Sequence, residues 1–288
     1  MAVQPLPAIR RALLEEILRQ LAIARAAITV ALRNATSKDA ARRLAAQQAE
    51  VARVMEIYRT AVLKAMVTSA DAVWKGGIKS VGKQSGIVFA GRINPQTLLA
   101  TEHFMTRKIG DVSRETVRRI NTALTQHLLG VHDKSSTITE IQRLLGGVPR
   151  GRAMTIAYTE IGRVYSVAQY ETMLQQLRLV PGLKKSWIHS GKKHPRPGHV
   201  LCAQQTAKEP IPVDQPFSIV DLRTGEVEQL RYPRDPNASA YNSVNCGCMM
   251  IAVPPPPDEL FSQPLTHLIK AGTVVRGGEI VSGGFAGK

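Results

Sequence analysis

The chain has 288 residues, of which 38 are Lys or Arg and 22 are Asp or Glu, so its formal net charge is +16. Hydrophobic residues make up 44%, which is enough to bury a core and excludes a fully disordered chain. Aromatic residues make up only 5%, too few for a base-stacking platform that binds single strands. The charge indicates a polyanionic partner, either nucleic acid or an anionic membrane surface.

The N-terminal sequence argues against membrane insertion and secretion. The apolar stretch 23–32 contains Arg25 and is far shorter than the ~20 apolar residues of a spanning helix. The first residues also lack the apolar core and cleavage site of a signal peptide. Three cysteines are an odd number and do not make a disulfide framework. We therefore expect a reducing compartment, where clustered Cys more often binds metal or does chemistry.

Residues 1–130 are predicted to form a helical region. In the first segment, apolar residues recur at helical spacing: Leu14, Ile17, Leu18, Leu21, Ile28 and Leu32. A second helix is predicted from the capping sequence at 36–39, and the glycines of 76–91 are expected to interrupt it. A third helix is predicted from Asn94 onward, with a break near Gly110. The region holds 20 Lys or Arg and 9 Asp or Glu, so +11 of the net charge lies there.

Residues 131–253 are predicted to form a second domain, and the whole chain to belong to the α+β class. A short helix capped by Ser136 or Thr137 is followed by a long helix over 150–178. After the stop at Pro181-Gly182, the pattern changes to that of a small antiparallel β module.

The β module is predicted from short β-prone runs. The run 183–188 predicts a strand, and the runs 217–222 and 226–232 flank an Arg-Thr-Gly turn and predict a hairpin. Proline begins the final segment, 254–288, which is expected to be an extended tail or one ordered only by a partner.

One constellation supplies the ligands of a tetrahedral zinc site: His199, Cys202, Cys246 and Cys248. A hairpin between the His-x-x-Cys and Cys-x-Cys pairs would close such a site, which would staple a module with a thin core. The alternative is that the thiols pack as small buried groups and His199 donates to a backbone carbonyl. A closed site argues against zinc catalysis, which needs an open coordination position.

A basic segment, 184–196, spans the predicted first strand and the loop after it. Its cations are predicted to contact nucleic-acid phosphates: Lys184, Lys185, Lys192, Lys193 and Arg196. The alternatives are a solvated loop or one that binds an acidic protein surface. The neighbouring His189 and His194 could serve the metal site, either as a ligand or in catalysis, but a solvated polar loop is the favoured interpretation. No Walker loop, dinucleotide fingerprint, GxSxG or HExxH motif is present.

The run 153–169, AMTIAYTEIGRVYSVAQ, resembles a helix of the phage Mu F-like head morphogenesis proteins, also called minor capsid proteins. The family's Ile-Ala-Arg-Thr-Glu is matched at 156–160, where Tyr158 replaces Arg. Residues 196–199, Arg-Pro-Gly-His, are similar to the family's Arg-Pro-x-His. Residues 245–248, Asn-Cys-Gly-Cys, are similar to its Asn-Cys-Arg-Cys.

The resemblance covers roughly residues 115–253, and the family's usual Gly shortly after the histidine is absent at 201–205. It implies a non-catalytic minor head protein of a tailed phage, assembled in the bacterial cytoplasm and located at the portal vertex or capsid interior of the virion. The implied partners are the portal protein, a major capsid or scaffolding protein, and genomic double-stranded DNA bound without sequence specificity. No membrane partner is implied.

Two other classes of function remain open from the residues alone. One is a zinc-dependent hydrolase acting on nucleic acid, which would use His199 and the Cys pair. The other is a non-viral, chromatin-like DNA-binding protein, which would bind free duplex tightly without any portal partner.

Overall fold

The computed structural model describes residues 6–34, 39–86, 95–146, 148–256, 274–276 and 279–282. The helices are α1 (Leu6–Asn34), α2 (Ala40–Ser85), α3 (Pro95–Leu128), α4 (Lys134–Gly146), α5 (Val148–Leu177), α6 (Pro197–Lys208) and α7 (Ala240–Ser243). The strands are β1 (Lys184–Ile188), β2 (Ile211–Pro212), β3 (Phe217–Val220), β4 (Val227–Leu230), β5 (Met249–Val253), β6 (Val274–Arg276) and β7 (Glu279–Ser282). Long N-terminal helices followed by a small antiparallel module confirm the predicted α+β class.

The strands form three small antiparallel sheets. The largest has the order β2-β1-β5, and β1 pairs with β5 from Lys184 opposite Val253 to Ile188 opposite Met249. Strands β3 and β4 form the predicted hairpin, while β6 pairs with β7 in the C-terminal segment. Most of the predicted tail, including residues 257–273, lies outside the described residues.

The buried side chains form one cluster that runs from the helices into the β module. Helix α1 contributes a residue every three or four positions: Ile9, Leu13, Ile17, Leu21, Ala24, Ile28 and Leu32. Trp187 of β1 and Met250 of β5 belong to the same cluster. The predicted boundary near residue 130 therefore lies in a turn, but the core is continuous across it.

Two predicted helix interruptions were wrong. Helix α2 continues through Gly76-Gly77, because Gly77 is a site of close helix packing: a Cβ there would lie 2.7 Å from the Cβ of Ala168 in α5. Helix α3 continues through Gly110, over which the Arg114 guanidinium lies. Helix α2 ends at Gly86, whose φ of 71° is the left-handed conformation of a glycine C-cap.

Side-chain carboxylates cap the starts of α2 and α4, and at α4 the cap is Asp133 in place of the predicted Ser136 or Thr137. The Asp39 side chain accepts from the backbone N–H of Ala41 at 2.9 Å, at the start of α2. Asp133 accepts from the N–H of Ser136 at 2.7 Å, at the start of α4. Helix α6 and strand β5 were not predicted. Among the described residues, no helix combines the length and apolar content that crossing a bilayer requires.

Candidate metal centre and its surroundings

His199 lies in the first turn of α6 and is 2% exposed. Helix α6 begins at Pro197, a residue suited to the first helical position. A Cβ at Gly198 would collide with the carbonyl oxygen of Val220 in β3. The glycine therefore lets α6 approach β3 closely enough for His199 to reach the interior.

The two ring nitrogens of His199 have different partners. Nε2 lies 3.0 Å from Asn242 Oδ1, while Nδ1 lies 3.3 Å from Cys248 Sγ and 3.6 Å from Cys246 Sγ. An amide oxygen only accepts, so Nε2 carries the proton and Nδ1 presents its lone pair to the two sulfurs. Metal-binding histidines are oriented in this way, by a hydrogen bond from the other ring nitrogen.

The donor atoms of His199, Cys246 and Cys248 all lie within 4.8 Å of one another. A tetrahedral zinc ion has Zn–N of about 2.0–2.1 Å and Zn–S of about 2.3 Å, which places nitrogen and sulfur ligands roughly 3.6 Å apart. The observed separations of 3.3 and 3.6 Å match that value. The three side chains are therefore close enough to hold one metal ion.

The two cysteines differ in how their surroundings affect the thiol. The hydrogen bond with the Cys248 thiol lowers the pKa of Cys246, and the charge of Arg234 acts in the same direction. The pKa of Cys248 is raised, because its proton is held in that hydrogen bond and because the side chain is buried. These surroundings therefore favour a thiolate at Cys246 and a thiol at Cys248.

Cys202 lies outside this group, so the structure brings together three of the four predicted ligands. It sits one turn after His199 on α6, in the apolar core. Burial raises the pKa of its thiol to about 12, and the charge that acts on it is that of Lys185. Cys202 therefore packs as a small buried group, as the alternative to a four-ligand site predicts. All three cysteines are free thiols.

A fully buried arginine supports the backbone of the Cys pair. Arg234 Nη1 donates to the Cys246 carbonyl at 2.6 Å, and its Nη2 donates to Ser166 Oγ of α5 at 2.8 Å. Burial lowers the pKa of Arg234 to about 10. None of the carboxylates in the described residues pairs with this guanidinium.

Helix α5 carries a second group of buried polar side chains beside the metal centre. Thr159 Oγ1 accepts from the backbone N–H of Asn245 at 3.0 Å. Glu160 lies 3.4 Å from Arg163, which donates to Ser243 Oγ at 3.0 Å. Burial raises the pKa of Glu160 although Arg163 lies beside it. The helix is thus tied to the segment that leads into the Cys pair.

Lys185 was wrongly predicted to face phosphate, because it is buried with 0% exposure. Its Nζ donates to the carbonyl of Arg231 at 2.8 Å and lies 4.8 and 4.6 Å from the ring centres of Tyr170 and Phe217. Burial lowers its pKa to about 7. In a β-strand, successive side chains alternate between faces, which places Lys184 outside and Lys185 inside.

The other predicted phosphate contacts are accessible. Lys184, Lys192 and Lys193 are exposed and Arg196 is half-buried. Lys184 stands at the first residue of β1, roughly 13 Å along the strand from the end that leads to the other three. Among the described residues, no carboxylate pairs with any of these four cations.

A polar cavity of about 220 Å³ opens next to the metal centre. Its walls are formed by Ser190, Lys192, His194, Pro195, Arg196, His199, Asn245, Gly247 and Cys248. Lys192 Nζ donates to the Asn245 carbonyl at 2.5 Å, and Arg196 Nη2 donates to the Val244 carbonyl at 2.6 Å. The basic loop therefore covers the backbone that carries the Cys pair.

Sequence reasoning missed Asn242, the hydrogen-bond partner that fixes the His199 tautomer. It also missed the supporting roles of Arg234 and Ser166. Arg234 lies in the Pro-rich run 232–236, which interrupts the strand pattern and so marks an irregular segment. Nothing in that run indicates that the arginine side chain is buried. Asn242 lies in a four-residue helix that has no apolar periodicity.

Comparisons with known proteins give one informative similarity. No family model matches the chain, and no solved structure matches it. The protein YqbB of Bacillus subtilis (strain 168), described as uncharacterized, is 35% identical over 127 residues. The match covers 42% of this chain and 38% of that protein, so the chain corresponds to less than half of the length of this relative.

Proposed function

We propose that the chain is a minor head protein of a tailed phage, of the Mu F-like type, which acts without catalysis in head morphogenesis at the portal vertex. In this role it contacts the portal protein, the major capsid or scaffolding protein, and packaged or ejected DNA. The virion is its final location, and assembly takes place in the bacterial cytoplasm.

The strongest support is the convergence of the three segments that carry the family resemblance. Thr159, from the helix segment, accepts a hydrogen bond from Asn245 of the Asn-Cys-Gly-Cys segment. His199, from the Arg-Pro-Gly-His segment, contacts both cysteines of that same segment. Segments up to 86 residues apart thus meet in one buried cluster, as expected if they are the shared core of one domain type.

Zinc is the metal that this donor set fits best. Two thiolates and one imidazole are soft and borderline ligands, which favour zinc over magnesium or calcium. The three residues join α6 to the start of β5, so the ion would staple two elements of a small module. We infer a structural role for it in the head protein.

Capture by the portal protein tests the head-protein proposal directly. The untagged full-length chain is mixed with immobilised cognate portal protein, and purified particles are analysed by mass spectrometry for the same chain. We expect retention on the portal at moderate salt and a few copies per particle. Absence from particles together with no retention on the portal would falsify the proposal.

DNA contact has a separate test on the loop. Lys184, Lys192 and Lys193 are changed together to Glu, and the slope of log affinity for duplex against log salt is measured. Each lost phosphate contact is expected to make the slope shallower by about 0.9.

The matched control for the loop reverses three exposed lysines of α2, Lys64, Lys79 and Lys83, for the same change in net charge. An equal change of slope in both variants would mean that the loop is not a specific contact. Tight binding of free duplex by a chain that ignores the portal would instead favour the chromatin-like class.

A zinc-dependent hydrolase acting on nucleic acid is the second candidate. It is favoured by the exclusion of Cys202 from the ligand group, because three protein ligands leave the open position that hydrolysis requires. Nuclease activity of the zinc-loaded chain that disappears in His199→Ala, with the helical content unchanged, would support this candidate against the non-catalytic role.

A further inference from the structure

We propose that a metal ion held by His199, Cys246 and Cys248 keeps its fourth coordination position on the side of the basic cavity, where it binds a phosphate-type oxyanion. The inference rests on the zinc site of the proposed function, but it adds a ligand that neither the head-protein role nor a structural staple requires.

The cavity lies where such a ligand has to enter. Two of the three metal-binding residues, His199 and Cys248, form part of its wall. Cys202, which would complete a closed site, does not line it. Its volume of about 220 Å³ compares with roughly 30 Å³ for one water molecule in the liquid. The space therefore accommodates a tetrahedral oxyanion together with several waters.

The cavity wall has the charge of an anion site. Lys192 and Arg196 line it together with His194, and no acidic side chain belongs to the described residues of its wall. Each of the two cations uses one donor on a backbone carbonyl. An ammonium has three donors and a guanidinium five, so donors remain for an incoming oxyanion.

The protein interior behind the metal centre also favours an anionic fourth ligand. Two thiolates neutralise a divalent ion, so the three protein ligands leave the centre without net charge. Arg234 then remains as a cation of 0% exposure whose contacts are a carbonyl and a hydroxyl. An oxyanion on the metal adds a negative charge to the centre whose Cys246 carbonyl this guanidinium contacts, whereas a neutral water does not.

Cobalt(II) substitution makes the fourth position visible. The full-length chain is loaded with cobalt, and its visible absorption is recorded while inorganic phosphate is added at constant ionic strength with perchlorate. We expect a saturable shift of the cobalt bands with one phosphate per metal. Metal content measured after the titration shows that phosphate has not removed the ion.

Variants separate the cavity from general charge. Changing Lys192 and Arg196 together to Ala is expected to weaken phosphate binding by at least tenfold while the metal content stays at one per chain. Lys208→Ala removes one exposed charge from the C-terminal end of α6, outside the cavity wall, and it is expected to leave phosphate affinity unchanged. Cys202→Ala is expected to leave the cobalt spectrum unchanged.

Phosphate can come from solution or from a DNA end. Competition by a short duplex with 5′-phosphates, compared with the same duplex with 5′-hydroxyls, distinguishes the two sources. A bound metal whose spectrum ignores phosphate, or whose spectrum changes in Cys202→Ala, overturns this inference and leaves the zinc site in place. A chain that binds no metal overturns both, and portal capture still tests the head-protein role separately.

Discussion

The same spacing of acid and arginine occurs in the helical bundle, formed by α1 to α4, and in the module that runs from α5 to β5, with opposite surroundings. Glu115 and Arg118 of α3 lie 2.9 Å apart on the surface, where 37% and 70% of their side chains are exposed. Glu160 and Arg163 of α5 lie 3.4 Å apart with 4% and 6% exposed. The hydrogen bond from Arg118 lowers the pKa of Glu115, whereas burial raises the pKa of Glu160.

The bundle repeats the exposed version of this pair many times. Acid and arginine three residues apart pair at Glu16–Arg19, Glu50–Arg53, Glu56–Arg59, Asp111–Arg114 and Glu140–Arg143. Its helices are held by apolar stripes, and these pairs mainly keep the surface soluble. The module instead places its polar groups inside, around a metal centre. We infer from this comparison that buried polar groups determine the stability and chemistry of the module, whereas the polar groups of the bundle contribute little to the stability of the bundle.

The largest difference is expected from removing the buried arginine. Arg163→Ala leaves Glu160 without its charge partner, removes the bond to Ser243, and empties the space against the Phe104 ring of α3. Loss of one partner of a buried pair lowers the free energy of unfolding by about 3 kcal/mol. Urea unfolding followed by circular dichroism measures it. A loss no larger than that of a surface arginine would contradict the division between the two regions.

Metal removal is expected to lower the stability of the folded chain. An ion present at a hundred times its dissociation constant stabilises the folded chain by about 2.7 kcal/mol. Zinc loading should therefore raise the unfolding midpoint of the chain, and a chelator should reverse the rise. The unfolding midpoint of His199→Ala should not change with zinc or with chelator. The midpoint of Cys202→Ala should change as that of the parent chain does. A Cys202→Ala chain that no longer responds would restore the four-ligand site.

The buried lysine predicts a dependence on pH. Burial lowers the pKa of Lys185 from 10.5 to about 7, so between these values the unfolded chain binds a proton that the folded chain does not. The free energy of unfolding therefore rises with pH in this window. The rise is expected to reach about 2 kcal/mol. The hydrogen bond to the Arg231 carbonyl and the two aromatic rings stabilise the ammonium and so offset part of the free-energy cost of burying it.

Lys185→Met keeps the length of the side chain without its charge, so the difference between the two chains isolates this group. We expect the variant to lose the rise between pH 7 and 10.5 in denaturant unfolding. An identical pH profile in both chains would show that the ammonium stays charged throughout this window.

Sequence patterns predicted what depends on local periodicity. The apolar stripe of α1, the long helix α5 and the hairpin of β3 and β4 follow from spacing alone. Gly77 shows where local reasoning fails: the residue was read as a breaker, but its role is set by Ala168, which is 91 positions away. A close helix contact leaves no trace in the neighbouring residues.

The candidate site shows the same limit. The ligand types of His199, Cys246 and Cys248 were visible as motifs, and the structure brings them together. Cys202 was included because His-x-x-Cys spacing is compatible with chelation. Which of two residues on one helix faces a distant Cys pair depends on how α6 packs on the sheet, and spacing cannot decide that. The prediction for Lys185 was wrong for a similar reason. Pairing with β5 fixes the register of β1, but which of its faces lies inward depends on the elements that pack against the sheet.

The smallest change in stability is expected from removing the exposed arginine of α3, which is the counterpart of Arg163 in the bundle. Arg118→Ala removes the exposed partner of Glu115, whose pKa should return toward its ordinary range. Water already solvates both groups, so the urea midpoint should stay within the error of measurement. Arg118 and Arg163 have the same helical spacing from their acids, so the two substitutions differ in burial and in the contacts with Ser243 and Phe104 that Arg163 makes. A loss in Arg118→Ala as large as that in Arg163→Ala would mean that the bundle also depends on its ion pairs.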